Sequence, residues 1–259
     1  MPLEIKGLLC TLSAIAAARF LFSAEPQQNA AKNSQLQPFA VVELFTSEGC
    51  SSCPPAEQYL NDLVAEARAK NLSIYPLAFH VDYWNYLGWQ DVDSDRRYSE
   101  RQREYARHAG AERIYTPQMI VNGEVAFVGS NRQQGEAAVA LALRRPAEVG
   151  LQLQLRRNAN EDSVVVIFAV APERRQCVLH VAVVERGIRR EIRGGENKGR
   201  VLQHDNVVRV FVTVAAQDLA RGRLALPLPS GIDLEHAALI AYVQDTQTSR
   251  ILGAASIDF

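Results

Sequence analysis

Hydrophobic residues recur with different periods in the two parts of the chain. From Phe39 to about Arg145, short apolar runs alternate with segments of helical spacing, which predicts a β-α-β unit followed by a hairpin and a helix. From Val149 onward the apolar runs have period two and almost no helical spacing. The pattern therefore predicts an α/β domain over residues 39–146 and an all-β domain over residues 147–259.

The first part contains apolar runs of strand length and amphipathic segments of helix length. Asn122-Gly123 stands between two apolar runs and is a strong signal for a β-hairpin. A strongly charged segment places three long side chains and Ala109 on one face, which predicts a mostly exposed helix inside a helical insertion over about residues 82–112. The other segments predict strands at Phe39–Phe45 and Leu72–Phe79 and helices at Ala56–Ala69, Ser94–Ala109 and Gln133–Leu143.

The second part predicts an antiparallel, β-sandwich-like domain, because about seven short strands follow one another at close spacing. A polar segment, Gly195–Arg200, lacks the strand–glycine–helix context of a phosphate loop and is predicted to be a long loop. The partner of this domain is not predicted. The apolar runs lie at residues 151–155, 164–170, 178–184, 207–214, 224–228, 239–243 and 251–257.

The first 24 residues are typical of a secretory signal. Lys6 precedes an apolar run, and the small residues Ser23-Ala24 offer a cleavage site before a polar stretch. Residues 1–24 are therefore predicted to be a signal peptide and residues 25–38 a linker, which predicts a periplasmic or secreted protein. The apolar run is short for a bilayer span of about 20 residues, so membrane attachment is expected only if the segment stays uncleaved.

Composition narrows the classes of function. The 259 residues have a formal charge of −1, with basic residues scattered among acidic ones, so no nucleic-acid partner is predicted. Loss of the leader removes Cys10 and leaves one CxxC pair and Cys177. Three cysteines fit a redox or metal site better than a structural disulfide framework. Cys177 lies in an alternating apolar run and is predicted to be a buried, inert thiol.

The CxxC pair, Cys50 and Cys53, lies between a predicted strand and a predicted helix. This spacing suits a redox-active disulfide or a soft metal ion. A helix N-terminus at Cys50 would stabilise its thiolate, but Pro54-Pro55 disfavours helical geometry at the preceding residue. Either the helix begins at the prolines or its first turn is distorted, and the first case weakens the dipole argument.

A second block, Thr116-Pro117, leads into the predicted hairpin. In the order CxxC, Thr-Pro, Asn-Gly and helix, residues 39–145 resemble the thioredoxin superfamily. The resemblance implies that Pro117 is cis and faces the cysteines, and that the Thr116 backbone pairs with a bound peptide. It also implies a buried acid that shuttles the proton of Cys53, for which Glu43 is the candidate, one residue further from Cys50 than expected.

Nearly the full mature length resembles a bacterial family without an established role, domain of unknown function 1223. The stretches that carry the resemblance are Phe45–Pro55, His80–Trp84 and Gly195–Asn197. This resemblance supports the fold and leaves the substrate open. If the second strand continues past His80, that histidine and Asp82 lie on one side of it, as a proton relay or a hydrogen-bonded pair.

Trp84 and Trp89 follow the second predicted strand and should lie near the cysteines. They either line a groove for peptide substrates, with Trp84 as the binding residue, or anchor the helical insertion to the core.

Three functions remain open from these residues. The first is an exported thiol–disulfide oxidoreductase acting on protein or peptide thiols, with Cys50 attacking, Cys53 resolving, and no cofactor or metal. The second is a thioredoxin-like scaffold with a structural disulfide. The third is a Cu(I)-delivery protein that uses both cysteines and His80, since thiolates suit that ion. The direction of electron flow is not predicted.

Overall fold

The computed structural model of the protein describes residues 36–157, 162–215 and 219–259. The predicted signal peptide, residues 1–24, and most of the predicted linker, residues 25–38, lie outside the described residues. Among the helices that the structure describes, none has the length and apolar character needed to cross a membrane.

The first part of the chain contains the elements that its hydrophobic pattern predicts. The hairpin turns at Asn122 and Gly123, whose φ angles of 49° and 71° are both left-handed, as expected for this dipeptide. A short 3₁₀ helix, Asp82–Leu87, and α2 form the predicted helical insertion. The elements are β1 (Ala40–Thr46), α1 (Pro54–Ala69), β2 (Ile74–His80), α2 (Arg96–His108), β3 (Gln118–Val121), β4 (Val125–Val128) and α3 (Arg132–Ala142).

All seven apolar runs of the second part form strands. An additional hairpin, β8–β9, was not predicted, and the polar segment 195–200 lies in the loop that connects its two strands. The elements are β5 (Gly150–Arg157), β6 (Ser163–Ala171), β7 (Cys177–Glu185), β8 (Ile188–Glu191), β9 (Val201–His204), β10 (Val207–Val214), β11 (Arg221–Pro227), a 3₁₀ helix (Leu234–His236), β12 (Ala237–Asp245) and β13 (Ile251–Asp258).

Eight strands from both parts form one mixed sheet in the order β13-β12-β7-β10-β2-β1-β3-β4. β1 and β2 are parallel, whereas β3 and β4 are antiparallel to their neighbours. β10 pairs with β2 in parallel where Val207 lies opposite Ala78. The sheet therefore continues across the predicted domain boundary at residues 146 and 147, and the molecule has a mixed α/β fold built on this sheet.

A second sheet, β11-β6-β5, packs against those strands of the large sheet that come from the second part of the chain. Alternate residues of its strands, such as Leu153 and Val166, pack against Leu179 and Leu239 of the large sheet in one apolar cluster. Cys177 lies in the same cluster and is the one free cysteine among the described residues; burial raises the pKa of its thiol. Its prediction as a buried thiol is confirmed.

Strand β1 is buried on both faces of the sheet, and its side chains point alternately to one face and the other. Val42 and Leu44 pack against α1, whereas Val41 and Phe45 lie on the opposite face. Glu43 shares that opposite face. There its carboxylate accepts hydrogen bonds from Arg101 at 2.7 Å, from Tyr242 at 2.8 Å, and from Tyr105.

Replacing Arg101 with Leu should destabilise the protein by about 3–5 kcal/mol, because it leaves the Glu43 carboxylate buried without its cation. Arg101 and Glu43 are 5% and 0% exposed, so solvent cannot take over this role. The free energy of unfolding in urea measures the effect. Arg103→Leu, at an exposed position of the same helix, should change it by about 0.5 kcal/mol or less. Equal effects of the two variants would contradict the importance of the pair.

Candidate functional site

Cys50 and Cys53 form a disulfide in the loop between β1 and α1, with their Cα atoms 5.4 Å apart. Two successive turns shape this loop, because the Cys50 N–H donates to the Ser47 carbonyl and the Cys53 N–H donates to the Cys50 carbonyl. The cysteines are only 1% and 0% exposed, whereas Ser51 between them is exposed. The pair thus lies just below the surface of the loop.

Helix α1 begins at Pro54, and Cys53 is its N-cap residue. Its first two residues are prolines, which have no N–H group, and the next two N–H groups both donate to the Cys53 carbonyl. The first turn therefore has no free N–H group for a thiolate at Cys50. Of the two arrangements that the prolines left open, the structure shows the helix that begins at the prolines.

Hydroxyl groups, instead, contact the sulfur of Cys50. Thr116 donates from Oγ1 to Cys50 Sγ over 3.3 Å, and the Oγ of Ser52 lies at the same distance from that sulfur. The indole of Trp84 donates to Thr116 Oγ1 over 2.7 Å. The Thr116–Pro117 peptide bond is cis, as the resemblance implied. The structure therefore brings the predicted residues Trp84 and Thr116 to the cysteine pair, with Pro117 next in the chain.

Glu43 does not join this group. Side-chain alternation along β1 directs it to the face opposite α1, where Arg101 and two tyrosines bind its carboxylate. The prediction that Glu43 serves as proton acceptor for Cys53 does not fit this geometry. The one-residue offset from Cys50 is not absorbed by a bulge, since β1 pairs with β2 in continuous register from Ala40 to Thr46.

The loop between β8 and β9 covers the cysteine pair. The side-chain amide of Asn197 donates to the carbonyls of Glu48 and Cys50 over 2.8 and 2.9 Å, and the Ser51 N–H donates to Glu196 over 2.9 Å. Close approach depends on glycine: a Cβ at Gly194 would lie 2.3 Å from the carbonyl oxygen of Gly88. The sequence predicted this segment only as a long loop.

Below the disulfide lies a set of buried ionisable residues, which we call the buried charge cluster. It contains four carboxylates and two histidines. The side chain of Arg190, on β8, donates hydrogen bonds to Glu48 and Asp93. The indole of Trp89 also donates to Glu48, over 2.7 Å. The cluster consists of Glu48, Glu57, His80, Asp91, Asp93 and His204, none of which is more than 8% exposed.

The two histidines of the cluster face each other with ring centroids 5.1 Å apart. His204 Nδ1 lies 2.9 Å from Glu57 and its Nε2 lies 3.4 Å from Glu48. Burial disfavours the charged ring, but these carboxylates outweigh it and raise the pKa of His204 to about 10. Burial likewise opposes charging His80, yet Asp91 raises the pKa of that ring. Burial raises the pKa of Glu57 but the histidines outweigh it, so the net shift is downward.

His80 was predicted near the cysteines, with Asp82 on the same side of its strand. The strand ends at His80, however, and Asp82 begins the 3₁₀ helix. Asp91 takes the place of Asp82, at 2.8 Å from His80 Nδ1. His204, which faces His80, was missed because it ends the unpredicted strand β9. The chain has only five histidines, and this scarcity was the one signal that could have drawn attention to His204.

The family model described as Protein of unknown function (DUF1223) matches residues 41–244. The chain belongs to this family. The match covers both the cysteine pair and the β8–β9 loop, so DUF1223 includes the whole site described here. A search of curated proteins returned no significant match.

Among solved structures, the chain is similar to the crystal structure of protein AGR_C_4864 from Agrobacterium tumefaciens. The two are 26% identical, with a TM-score of 0.64 over 86% of this chain and 96% of the other. A domain of the outer membrane lipoprotein Omp28 from Porphyromonas gingivalis has a TM-score of 0.27 and 13% identity over 44% of this chain and 88% of that one.

Replacing Asn197 with Ala should speed reduction of the Cys50–Cys53 disulfide by dithiothreitol. The change removes two hydrogen bonds that hold the β8–β9 loop over the pair, at a cost of about 1–3 kcal/mol for buried groups left unpaired. The rate of thiol release under pseudo-first-order conditions measures it. Lys198→Ala, at the exposed next position, is the control and should react like the unmodified protein. Equal rates for all three proteins would show that the loop does not limit access.

Proposed function

We propose that the protein is an exported, thioredoxin-like thiol–disulfide exchange protein of the DUF1223 family. The observation that carries the proposal is the hydrogen-bonded series from Trp84 through Thr116 to the sulfur of Cys50. A structural disulfide needs no hydroxyl donor at one of its sulfurs. A sulfur that alternates between disulfide and thiolate gains from one, because hydrogen bonds to charged groups are the stronger kind.

The exchange balances with the two cysteines and the substrate alone. In the reduced protein, the Cys50 thiolate attacks a substrate disulfide, forms a mixed disulfide and releases one substrate thiolate. Cys53 then attacks the Cys50 sulfur, which restores the Cys50–Cys53 disulfide and releases the second substrate thiolate. Two electrons pass from the protein to the substrate, and the two cysteine protons end on the released thiols. The reverse sequence oxidises a dithiol.

The arrangement of the first part supports the thioredoxin-like assignment. Parallel β1 and β2, the antiparallel β3–β4 hairpin and α3 follow one another as that resemblance implies. The seven strands in two layers support a β-sandwich-like assignment for the second part. Substrates would be protein or peptide thiols, with the Thr116 backbone and Trp84 as the contact surface. A periplasmic or secreted location rests on residues 1–24 of the sequence.

A second candidate is a scaffold in which the disulfide is structural. The 1% exposure of Cys50 and the hydrogen bonds of the β8–β9 loop favour it. Equilibration of the purified protein with glutathione buffers separates the two functions. A redox-active pair should have a reduction potential of about −270 mV or higher, within the range of thiol–disulfide exchange proteins. A structural disulfide should have a reduction potential below about −300 mV and therefore stay oxidised in these buffers.

Replacing Cys50 with Ala should abolish turnover in an insulin reduction or dithiol oxidation assay, because it removes the proposed attacking thiolate that forms the first mixed disulfide. Cys53→Ser should accumulate mixed disulfides with the substrate, since the resolving thiol is gone. Non-reducing electrophoresis and mass spectrometry detect these adducts. Cys177→Ser is the control and should keep full activity. Undiminished turnover in the Cys50 variant would exclude the proposed function.

Replacing Thr116 with Val should make the reduction potential of the pair more negative by roughly 30–60 mV. The expected loss of about 1.5–3 kcal/mol of thiolate stabilisation converts at about 30 mV per 1.4 kcal/mol. The Cys50 pKa, followed by thiolate absorbance, should rise in parallel. Trp84→Phe should shift both quantities in the same direction by less, because the Thr116 hydroxyl remains.

Thr248→Val, the same chemical change in the turn between β12 and β13, is the matched control for this series and should leave the potential unchanged. An unchanged potential in the Thr116 variant would show that the hydroxyl contact does not tune the sulfur.

A further inference from the structure

Three residues of the buried charge cluster converge from different elements of the fold. Glu57 comes from the first turn of α1, His80 ends β2 and His204 ends β9. One donor atom from each lies within 4.8 Å of the others, and the residues are 4%, 0% and 1% exposed. We infer that these three residues form a binding site for a divalent transition-metal ion, and that Zn²⁺ is the ion that suits them.

The first argument is the state of His80. Its Nδ1 is 2.8 Å from Asp91, whereas its Nε2 is fully buried and has no hydrogen-bond partner in the part of the chain that the structure describes. Buried polar atoms without a partner are rare in folded proteins and need an explanation. Coordination by Nε2 satisfies this atom, and the carboxylate on Nδ1 then selects the tautomer that ligation requires.

The second argument is the state of His204 and Glu57. His204 Nδ1 lies 2.9 Å from Glu57 Oε2, and its Nε2 lies 3.4 Å from Glu48. Neither nitrogen has an acceptor along its N–H direction, so neither contact is a hydrogen bond of normal geometry. Thr46 donates to the other carboxylate oxygen of Glu57 over 2.6 Å. Two of the proposed ligands thus have an outer partner that orients them: Asp91 for His80 and Thr46 for Glu57.

The donor set determines the class of ion. Two imidazoles and a carboxylate suit Zn²⁺, which takes this set in known sites, whereas Ca²⁺ and Mg²⁺ prefer oxygen ligands alone. Cu(I) prefers thiolates, and no cysteine sulfur belongs to the proposed set. The neighbouring acids Glu48 and Asp93 already bind Arg190, so they do not form a second cation site.

Burial of the ligands has a consequence for binding. The three elements come together only when both parts of the chain have folded, so metal binding should be coupled to folding. This site is independent of the proposed exchange activity, because removal of either cysteine leaves all three ligands in place.

The test is the metal content of the full-length mature protein, measured by inductively coupled plasma mass spectrometry. The protein is unfolded in guanidinium with a chelator, refolded with or without Zn²⁺, and freed of loosely bound metal by gel filtration. We expect one zinc ion per chain and a higher Tm in the zinc-refolded sample. Cys50→Ser/Cys53→Ser should keep the zinc, as should His236→Gln, which changes an exposed histidine.

His80→Gln/His204→Gln should lose the zinc and the increase in Tm. Because two changes in the core can prevent folding, Glu57→Gln provides a milder variant of equal size. Its zinc affinity, from competition with a chromophoric chelator, should fall at least tenfold while its circular dichroism stays native. Unchanged affinity in this variant overturns the proposal.

Two further results would also overturn it. One is a protein that takes up no zinc and shows no change in Tm, which would leave His204 and Glu57 as a simple ion pair. The other is loss of zinc in the double cysteine variant, which would assign the metal to the CxxC pair. Failure of the exchange assays with zinc retained would reject the proposed function and leave this site intact.

Discussion

The parallel contact between β2 and β10 determines how the two parts of the molecule are arranged. The Ala78 N–H donates to the Asn206 carbonyl over 2.9 Å, and the Asn206 side chain donates to the Pro76 carbonyl over 2.8 Å. These bonds join two sets of strands into one sheet. His204 ends β9 just before Asn206, and its ring centroid lies 5.1 Å from that of His80 at the end of β2.

Helix α1 strengthens this arrangement and ties the cysteine loop to it. The side chain of Asn61 donates to the Gln203 carbonyl over 2.9 Å and accepts from the Asp205 N–H over 3.0 Å. The helix that begins after Cys53 is therefore hydrogen-bonded to the residues on both sides of His204. Burial of so many ionisable groups is unfavourable unless each is paired, and the pairs His204–Glu57 and Arg190–Asp93 form only when both parts are assembled. The cysteine site is thus a property of the whole fold.

Local patterns were sufficient for much of the fold and insufficient for the site. Period and turn residues located α1, the Asn122-Gly123 hairpin and all seven long strands of the second part, because these signals act within a few residues. The hairpin β8–β9 was not predicted because its strands have four residues each and their sequences, IRRE and VLQH, do not alternate between apolar and polar residues. Glu43 was assigned to the cysteines by its distance along the chain, but strand alternation sends it to the other face. The partners of His80 came from residues 91 and 204, and no local pattern relates such distant positions.

Access to the disulfide and the reactivity of its sulfur depend on different parts of the chain. The contacts that bear on the Cys50 sulfur come from Thr116 and, through it, Trp84, both in the first part. The hydrogen bonds that cover the loop come from Asn197 and Glu196 in the second part. Thiol–disulfide exchange requires access to the attacked sulfur. In the proposed exchange, the second part would therefore govern access to the pair, and the first part would govern the stability of the Cys50 thiolate.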